Sequence, residues 1–546
     1  MITNISRSYG MHRALVLWLF FWVGSGCAEQ NANQPPVQPN ILVIMADDLG
    51  FTDLGAFGGE IKTPNLDALA RSGLRFSNFH AGPSCAPTRS MLMTGTDNHL
   101  AGMGSQGNLA TVLQQQSPAY QNKLDPAVPT IAEHLRKMGY ATFASAKWHL
   151  GADGPQQPNA RGFDRSFVLL EGGGGHFDDT PIFEHYGKAN WQEDGKSIEL
   201  PATFYSSDYM TDKLLEYVDE VSSSQPIFAY LSYTAPHWPL QAPAEDVLRY
   251  QGQYDSGWHD LNGARMAGAQ REGVIGPNAR AVKHEPGLVG WDSLDSTEQA
   301  NASRRMEVYA AMVDRLDQNV GRVLTALETS GRLSNTVIVF LADNGAEAHQ
   351  MELYSTNPEW IPKNFNNELA NIGTKTSYTT LGQGWARATA APFRDSKSKL
   401  AEGGIRVPAF VSLPTAQQPR IDASFMRVMD LAPTFIELAG GERPESMMGR
   451  SLLDLWRGGE SPYSADEIIA AETYGRRLAQ RGEWKALLQP SPFGTGQWQL
   501  YNLGRDLGEQ EDLALEFPQV LAELVEGYEA YANRVGVIDP ETPISY

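Results

Sequence analysis

The sequence predicts an α/β fold, in which buried strands of the parallel type alternate with helices, followed by a small antiparallel sheet carrying one helix. Ile41-Leu42-Val43-Ile44-Met45 and Thr336-Val337-Ile338-Val339-Phe340-Leu341 are apolar without polar alternation, as strands covered on both faces are. Met306, Tyr309, Val313, Leu316, Val320, Val323 and Leu327 recur at helical spacing with Gly331 beyond them, which marks a core-facing helix. From about residue 461 the pattern changes. Glu472-Thr473-Tyr474, 483–488 and 498–503 are short strand-like runs separated by turn residues, and 518–535 is an amphipathic helix.

A chain of 546 residues is long enough for a large core and more than one domain. Net charge is −21, from 43 basic and 64 acidic residues, which argues against nucleic acid as a partner. An acidic surface leaves an anionic substrate open, because a local cluster of lysine, arginine and metal sets the field in one cleft.

Taken in order, the chain begins as an export signal. Arg7 and Arg13 flank a polar start, and 14–23 is an apolar run too short to span a bilayer. Gly24-Ser25-Gly26-Cys27 then offers two outcomes, plain cleavage near this point or a bacterial lipoprotein site whose Cys27 becomes a lipid-bearing membrane tether. Either places the protein in the periplasm or cell envelope. Residues 1–27 are thus the signal, 28–39 a flexible tether rich in Gln, Asn and Pro, 40–460 a catalytic domain and 461–546 a C-terminal α+β subdomain.

The first buried run ends in Asp47-Asp48, and the run at 336–341 leads to Asp343-Asn344-Gly345. Function gathers at the carboxyl ends of such strands. Adjacent carboxylates repel unless a cation lies between them. Three carboxylates and an amide, with no sulfur or imidazole donor, suit a hard cation, Ca2+ or Mg2+. Between these runs, 64–72 reads as a helix with Pro64 early and Gly73 after it, and 130–137 as another, leading through Gly139 to a strand over 140–144. Lys147-Trp148-His149 follows, and in extended chain Lys147 and His149 point the same way. The glycine run 172–175 lacks the spacing of a nucleotide loop and reads as a pocket wall, with His176 structural. A buried strand over 226–233 leads to Ala235-Pro236-His237-Trp238-Pro239, where a histidine between prolines is held for acid/base work. Residues 240–298 read as an irregular surface excursion, and the loop 346–391 as a lid or binding wall. Residues 430–439 read as the last helix of the main domain.

Ser84-Cys85-Ala86-Pro87-Thr88-Arg89-Ser90-Met91-Leu92-Met93-Thr94-Gly95 is the stretch around which the rest is organised. Cys85 reads as standing just outside a helix N-terminus, which favours an anion, with Arg89 one turn on as a planar cation. Cys-x-Pro-x-Arg followed by Ser-Met-Leu-Met-Thr-Gly resembles the signature of the type I sulfatases. So do Thr63-Pro64-Asn65-Leu66-Asp67, 76–83, and Lys397-Ser398-Lys399-Leu400-Ala401-Glu402-Gly403-Gly404-Ile405-Arg406-Val407-Pro408. The family usually has Gly before the lysine at position 147; here it is Ala146. The resemblance runs from about Asn40 to the end and is closest to large bacterial arylsulfatases.

It implies an alkaline-phosphatase-like fold with a large, mixed, mostly parallel sheet, and hydrolysis of sulfate monoesters, aryl sulfates first. It also implies that Cys85 is oxidised by a formylglycine-generating or sulfatase-maturing enzyme to formylglycine (3-oxoalanine), whose hydrate attacks sulfur. With Cys27 removed or lipidated, the mature domain then has no thiol and no disulfide, since the chain has two cysteines. In the implied site, Asp47, Asp48, Asp343, Asn344 and residue 85 hold the cation, and Arg89 fixes the nucleophile. Lys147, His237 and Lys397 hold sulfate, with His237 or Lys397 protonating the leaving oxygen, and His149 takes the proton that expels sulfate. Counting from Glu402 selects Lys397 for the sulfate contact, with Lys399 as runner-up. The rival readings are a formylglycine-dependent phosphate or phosphonate ester hydrolase and a non-catalytic binder of sulfated glycans.

Overall fold

The first buried run is the middle of the sheet. Asn40–Ala46 pairs in parallel with Ile227–Ser232 on one side and Thr336–Ala342 on the other, and every residue of the three strands is buried. Ala141–Lys147 adds in parallel to Ile227–Ser232, and Arg165–Leu169 in parallel to that. Strands of opposite direction flank this parallel block, Ala409–Ser412 against Thr336–Ala342 and Trp191–Glu193 against Arg165–Leu169. The result is a mixed, mostly parallel sheet of ten strands. Ala46 stands opposite Ala342 in register, so the residues that follow, Asp47 and Asp343, emerge side by side at the carboxyl edge.

The computed structural model describes residues 38–282, 287–350, 359–414, 418–544 and Tyr546. The export signal with Cys27, and the tether up to residue 37, lie outside them. Gln38–Tyr546 form one compact unit. Among the described residues no helix is long and apolar enough to cross a membrane.

The long periodic helix is Ser296–Thr329, opened by a capping box between Asp295 and Glu298, and its seven periodic residues are all buried. From the same helix Asp317 accepts the N–H groups of Asn65 (3.2 Å) and Leu66 (2.8 Å), satisfying two free donors at the start of helix Pro64–Ser72.

Two stretches differ from their sequence reading. The excursion over 240–298 contains the helix Gly257–Glu272, which has no apolar stripe because its buried side carries Arg265, Gly268 and Ala269. Arg265 donates from Nε and Nη2 to the Glu60 carboxylate, each at 2.8 Å, and from Nη1 to Asp53. Gly268 lies so close to Gly58 that a Cβ there would sit 2.0 Å from the Gly58 oxygen. An ionic and backbone contact leaves no periodicity to read. The loop 346–391 likewise contains two short helices, Trp360–Asn364 and Gln383–Thr389.

The C-terminal sheet is antiparallel in the order Ile469–Thr473, Arg476–Arg481, Trp484–Leu488, Trp498–Asn502. Its second strand, rich in arginine, escaped the sequence reading. Ala470, Ala479, Ala486 and Leu500 pack on Leu524, Tyr528, Tyr531 and Val535 of the helix Pro518–Val535. The sheet's other face meets Leu400, Ala401 and Ile405 through Leu478, Leu487 and Tyr501. At that seam the fully buried Lys485 reaches Glu402 Oε1 at 2.6 Å, so the first residue of the Glu402-Gly403-Gly404 block is a docking point for this sheet.

A second buried tie makes the fold sensitive to pH. His99, just after the helix Cys85–Thr94, lies 2.9 Å from Asp97 Oδ1 and 2.8 Å from Glu472 Oε2 on the C-terminal sheet. Burial opposes its protonation, but these two carboxylates overcome it and hold the imidazole up at about 9. The tie's contribution is complete below the unfolded value near 6.5 and is lost as pH rises through 9, a change on the order of 3 kcal/mol. The Tm advantage of wild type over His99→Gln is therefore expected to be largest at pH 6 and to shrink by pH 9.5, which thermal unfolding at the two pH values measures. An advantage independent of pH would show that the pair is held by packing alone.

Candidate active site

Cys85 is the first residue of the helix Cys85–Thr94, one position later in the helix than the sequence suggested. Pro87 sits in the first turn, where a missing N–H costs nothing, so the helix starts before Thr88 and Ser90 rather than at them. Cys85 is 1 % exposed, and its Sγ lies 3.4 Å from Asp47 Oδ1 and 3.7 Å from Asp48 Oδ1. Burial pushes the thiol well above its ordinary range, and Asp343 pushes it further. The Ser84 hydroxyl, at the position before the helix, pairs with Tyr474 Oη at 2.9 Å, bringing the C-terminal sheet against the nucleophile's flank.

Arg89 is fully buried and spends its donors on fixed partners. Nε and Nη2 donate to Asp343 Oδ2 at 3.1 and 2.7 Å, and Nη1 to the Lys147 carbonyl (2.7 Å), Ser232 Oγ (2.5 Å) and Tyr230 Oη (3.2 Å). Asp343 Oδ1 accepts the Asp48 N–H at 3.1 Å. Asp48 has φ +62°, a left-handed conformation that turns the chain at the strand end. Asn344 Nδ2 donates to Asp48 Oδ1 at 2.7 Å.

Two buried lysines each take one of the paired carboxylates. Lys147, the last residue of its strand, donates to Asp47 Oδ2 at 2.5 Å, and Lys397 to Asp48 Oδ2 at 2.8 Å. Lys399 does not join them. Its side chain lines a cleft of about 600 Å³ together with Arg305, Trp385 and His349, and burial with Arg476 nearby pushes its ammonium down to about 8.

His149 follows the end of the Lys147 strand, so strand alternation does not reach it; the chain turns there with φ +56°. Burial, then Lys147, Arg89 and Lys397, push the His149 imidazole well below its ordinary range, and its Nδ1 is buried without a hydrogen-bond partner. His237 Nδ1 lies 2.6 Å from the Trp238 carbonyl, which assigns the proton there and leaves Nε2 facing Asp48 Oδ2 at 3.6 Å. Burial and the two lysines keep His237 neutral. His176 is structural, bonded to Ser206 Oγ (2.7 Å) and the His237 carbonyl (3.0 Å). The glycine run is a wall in direct contact. A Cβ on Gly172 would meet the His149 ring at 2.6 Å, and one on Gly173 the His237 ring at 3.0 Å.

The carboxylate and amide oxygens fit a hard cation, and His237, an imidazole the sequence does not assign to it, lies among them. Asp47, Asp48, Cys85 and His237 bring ligand atoms within 4.8 Å of one another, and the buried Asn344 Oδ1 has no partner. Burial, with Asp343 beside it, pushes the Asp47 carboxyl up to about 7 against the pull of Lys147 and Arg89. Burial also raises Asp48 despite Lys397. For Asp343 burial acts the same way, but Arg89 outweighs it and holds the carboxyl below its ordinary range. A buried cluster strained in this way is relieved by a divalent ion. Glu347, Tyr474, Tyr546, Tyr230 and Ser232 also belong to this surround, and no motif in the sequence marks them.

The family model described as Sulfatase matches residues 39–441. The chain is similar to an uncharacterised sulfatase of Schizosaccharomyces pombe, 39% identical over 92% of this chain and 94% of that one. It is also similar to the arylsulfatase of Klebsiella aerogenes, 37% identical over 82% of this chain and 95% of that one. Among solved structures, Ps i-CgsB in complex with k-i-k-neocarrahexaose superposes with a TM-score of 0.65 at 27% identity, covering 91% of this chain and 93% of that one. With its strand-end carboxylates and buried lysines set as described, and a family match across most of its length, the chain belongs to the sulfatases, shares their alkaline-phosphatase-like fold, and is a sulfuric ester hydrolase.

Proposed function

We propose that this sulfatase hydrolyses aryl sulfate monoesters through a formylglycine made from Cys85, with a divalent cation, Ca2+ or Mg2+, on the strand-end oxygens. The observation that carries the reading is that Cys85 Sγ, Lys147 and Lys397 all converge on the two carboxylates Asp47 and Asp48. A thiolate at this place would face two carboxylate oxygens in a buried site, which disfavours the ionised sulfur as the nucleophile. Hydrated formylglycine supplies another, a hydroxyl that attacks the sulfate sulfur.

Asp47, Asp48, Asp343 and Asn344 would hold the cation, which lowers the nucleophile's pKa and polarises the sulfate. The chain's own groups do the rest. Arg89 clamps Asp343 and the end of the Lys147 strand, so the nucleophile's surroundings do not shift during reaction. Lys147 and Lys397, whose ammonium groups stand on the Asp47 and Asp48 carboxylates, would bind the sulfate oxygens. The departing oxygen takes its proton from Lys397, because His237, neutral with its one proton on Nδ1 against the Trp238 carbonyl, has none on Nε2 to give. His149, neutral with a free Nδ1, accepts the proton whose removal expels sulfate. An aryl leaving group finds Trp238 stacked beside His237 with ring centroids 5.1 Å apart, and Tyr378, Trp360 and Phe365 behind it. The arylsulfatase relatives support the same choice.

The export segment adds a location outside the cytoplasm, in the periplasm or cell envelope, with a lipid tether if Cys27 is acylated. Maturation requires a formylglycine-generating or sulfatase-maturing partner. Turnover measured side by side on aryl, alkyl and sugar sulfates and on aryl phosphates tests the assignment. Faster turnover of aryl phosphate would make the chain a phosphoesterase on a sulfatase scaffold.

The lysines supply a sharper check. A buried charge-assisted contact to sulfate is worth roughly 1.5–3 kcal/mol. Lys397→Ala is therefore expected to slow kcat at least about tenfold. Lys399→Ala, outside the site, is expected to stay within about twofold of wild type. Steady-state kinetics on one aryl sulfate decides it, and the reverse ranking would move the contact to Lys399.

A further inference from the structure

We infer that Glu347 is a positioning residue for the Lys397 ammonium, an inference that rests on the reading that Lys397 contacts sulfate. Lysine carries a compact charge on a flexible four-carbon stem, so its head must be aimed by partners. Lys397 has two anionic partners, Asp48 Oδ2 at 2.8 Å and Glu347 Oε2 at 3.3 Å. Asp48 belongs to the oxygens a divalent cation takes. Once they are taken, that carboxylate has less charge to offer, and the cation itself repels an ammonium group. Glu347 belongs to no such set.

Glu347 is itself held on every side. Its Oε1 accepts the His349 N–H at 2.9 Å and pairs with His349 Nδ1 at 2.7 Å; its Oε2 accepts from Tyr546 Oη at 3.4 Å. It is 3 % exposed. The Tyr546 ring stacks on His349 with centroids 5.4 Å apart and meets Tyr474 edge-on at 5.7 Å. The Lys397 N–H donates to the Ala346 carbonyl at 3.1 Å, which ties the two loops at the residue before Glu347. Burial works against a charge on Glu347, yet Lys397 and His349 hold its carboxyl well below the ordinary range, as a standing counter-ion requires. Glu347 thus gives the ammonium a fixed anionic partner that aims it when the metal oxygens are engaged.

The test is a double-mutant cycle on the full-chain, matured, metal-loaded enzyme, with Glu347→Gln, Lys397→Ala and the double variant assayed on one aryl sulfate. Metal content is measured for each. Glu347→Gln is expected to lower kcat about tenfold with KM changed less than about threefold and bound metal unchanged. The double variant is expected to lie within about twofold of Lys397→Ala alone, because the glutamate acts only through the lysine. Should Glu347→Gln not fold, Glu347→Asp, which keeps the charge but withdraws it by one methylene, takes its place with the same non-additivity expected. Additive losses, a Glu347 variant within about twofold of wild type, or loss of metal from it would overturn the inference alone. A silent Lys397→Ala would overturn the underlying reading and the inference with it.

Discussion

Cys85→Ala is expected to lower kcat on an aryl sulfate by at least about a thousandfold, the scale on which removing a covalent nucleophile acts. The position allows no substitute. Residue 85 is closed from solvent, its side chain points between Asp47 and Asp48, and the buried Arg89, Lys147 and Asp343 that surround those carboxylates are bonded to one another. A water admitted in place of the side chain would lack the covalent step that splits the reaction in two. Cys85→Ser tests the modification separately. In a host whose converting enzyme acts only on cysteine, it should be nearly as inactive as the alanine variant, although a serine hydroxyl is smaller and equally placed. Mass spectrometry of the peptide containing residue 85 from active wild type should show the aldehyde or its hydrate. Active protein carrying only the thiol at that residue would end the formylglycine mechanism.

The parts of this site that were legible in the sequence are those fixed by local pattern. Asp47, Asp48, Asp343 and Asn344 follow apolar strands, so the strand ends locate them, and the register Ala46 to Ala342 brings them together. The helix 64–72 was legible through Pro64 and Gly73 and is found at Pro64–Ser72. The helix Pro518–Val535 was legible through its apolar stripe. What escaped is what long-range ionic contact decides. The helix Gly257–Glu272 turns an arginine inward, onto Asp53 and Glu60, and Arg476–Arg481 is a strand whose charged residues looked like loop. Arg477 is held by Asp539 at 2.6 Å and Arg481 by Glu523 at 2.9 Å, pairings that only the fold creates. Glu347 and Tyr546 are separated by 199 positions and meet only because the C-terminal segment returns to the loop after Thr336–Ala342. His149 was placed by strand alternation, which ends at Lys147. Periodicity reports which side of an element is buried, and it is silent on a polar partner two hundred residues away.

Asp343→Ala should remove bound metal and activity together and destabilise the fold as well. Asp343 accepts from Nε and Nη2 of the Arg89 guanidinium, with Asp47 Oδ1 a longer ion pair at 3.8 Å, and it also accepts the Asp48 N–H. Removing it leaves a fully buried cation short of its partner, a loss of roughly 3–5 kcal/mol for a broken interior pair. The same change takes one carboxylate from the oxygen set and releases Arg89, whose Nη1 fixes the end of the Lys147 strand. Metal affinity and nucleophile geometry thus fail for connected reasons. Asp343→Asn separates them. The amide keeps the shape of the side chain and one oxygen, which serves either the Asp48 N–H or Arg89 but not both, and it removes the negative charge facing Arg89 and weakens the metal. It should unfold at a temperature nearer wild type than Asp343→Ala while still losing metal on dialysis. Metal analysis and thermal unfolding of the two variants check this directly. An Asp343→Ala protein with the metal content of wild type would show that the cation sits on Asp47, Asp48 and His237 without it, and that Asp343 serves only as the counter-ion of Arg89.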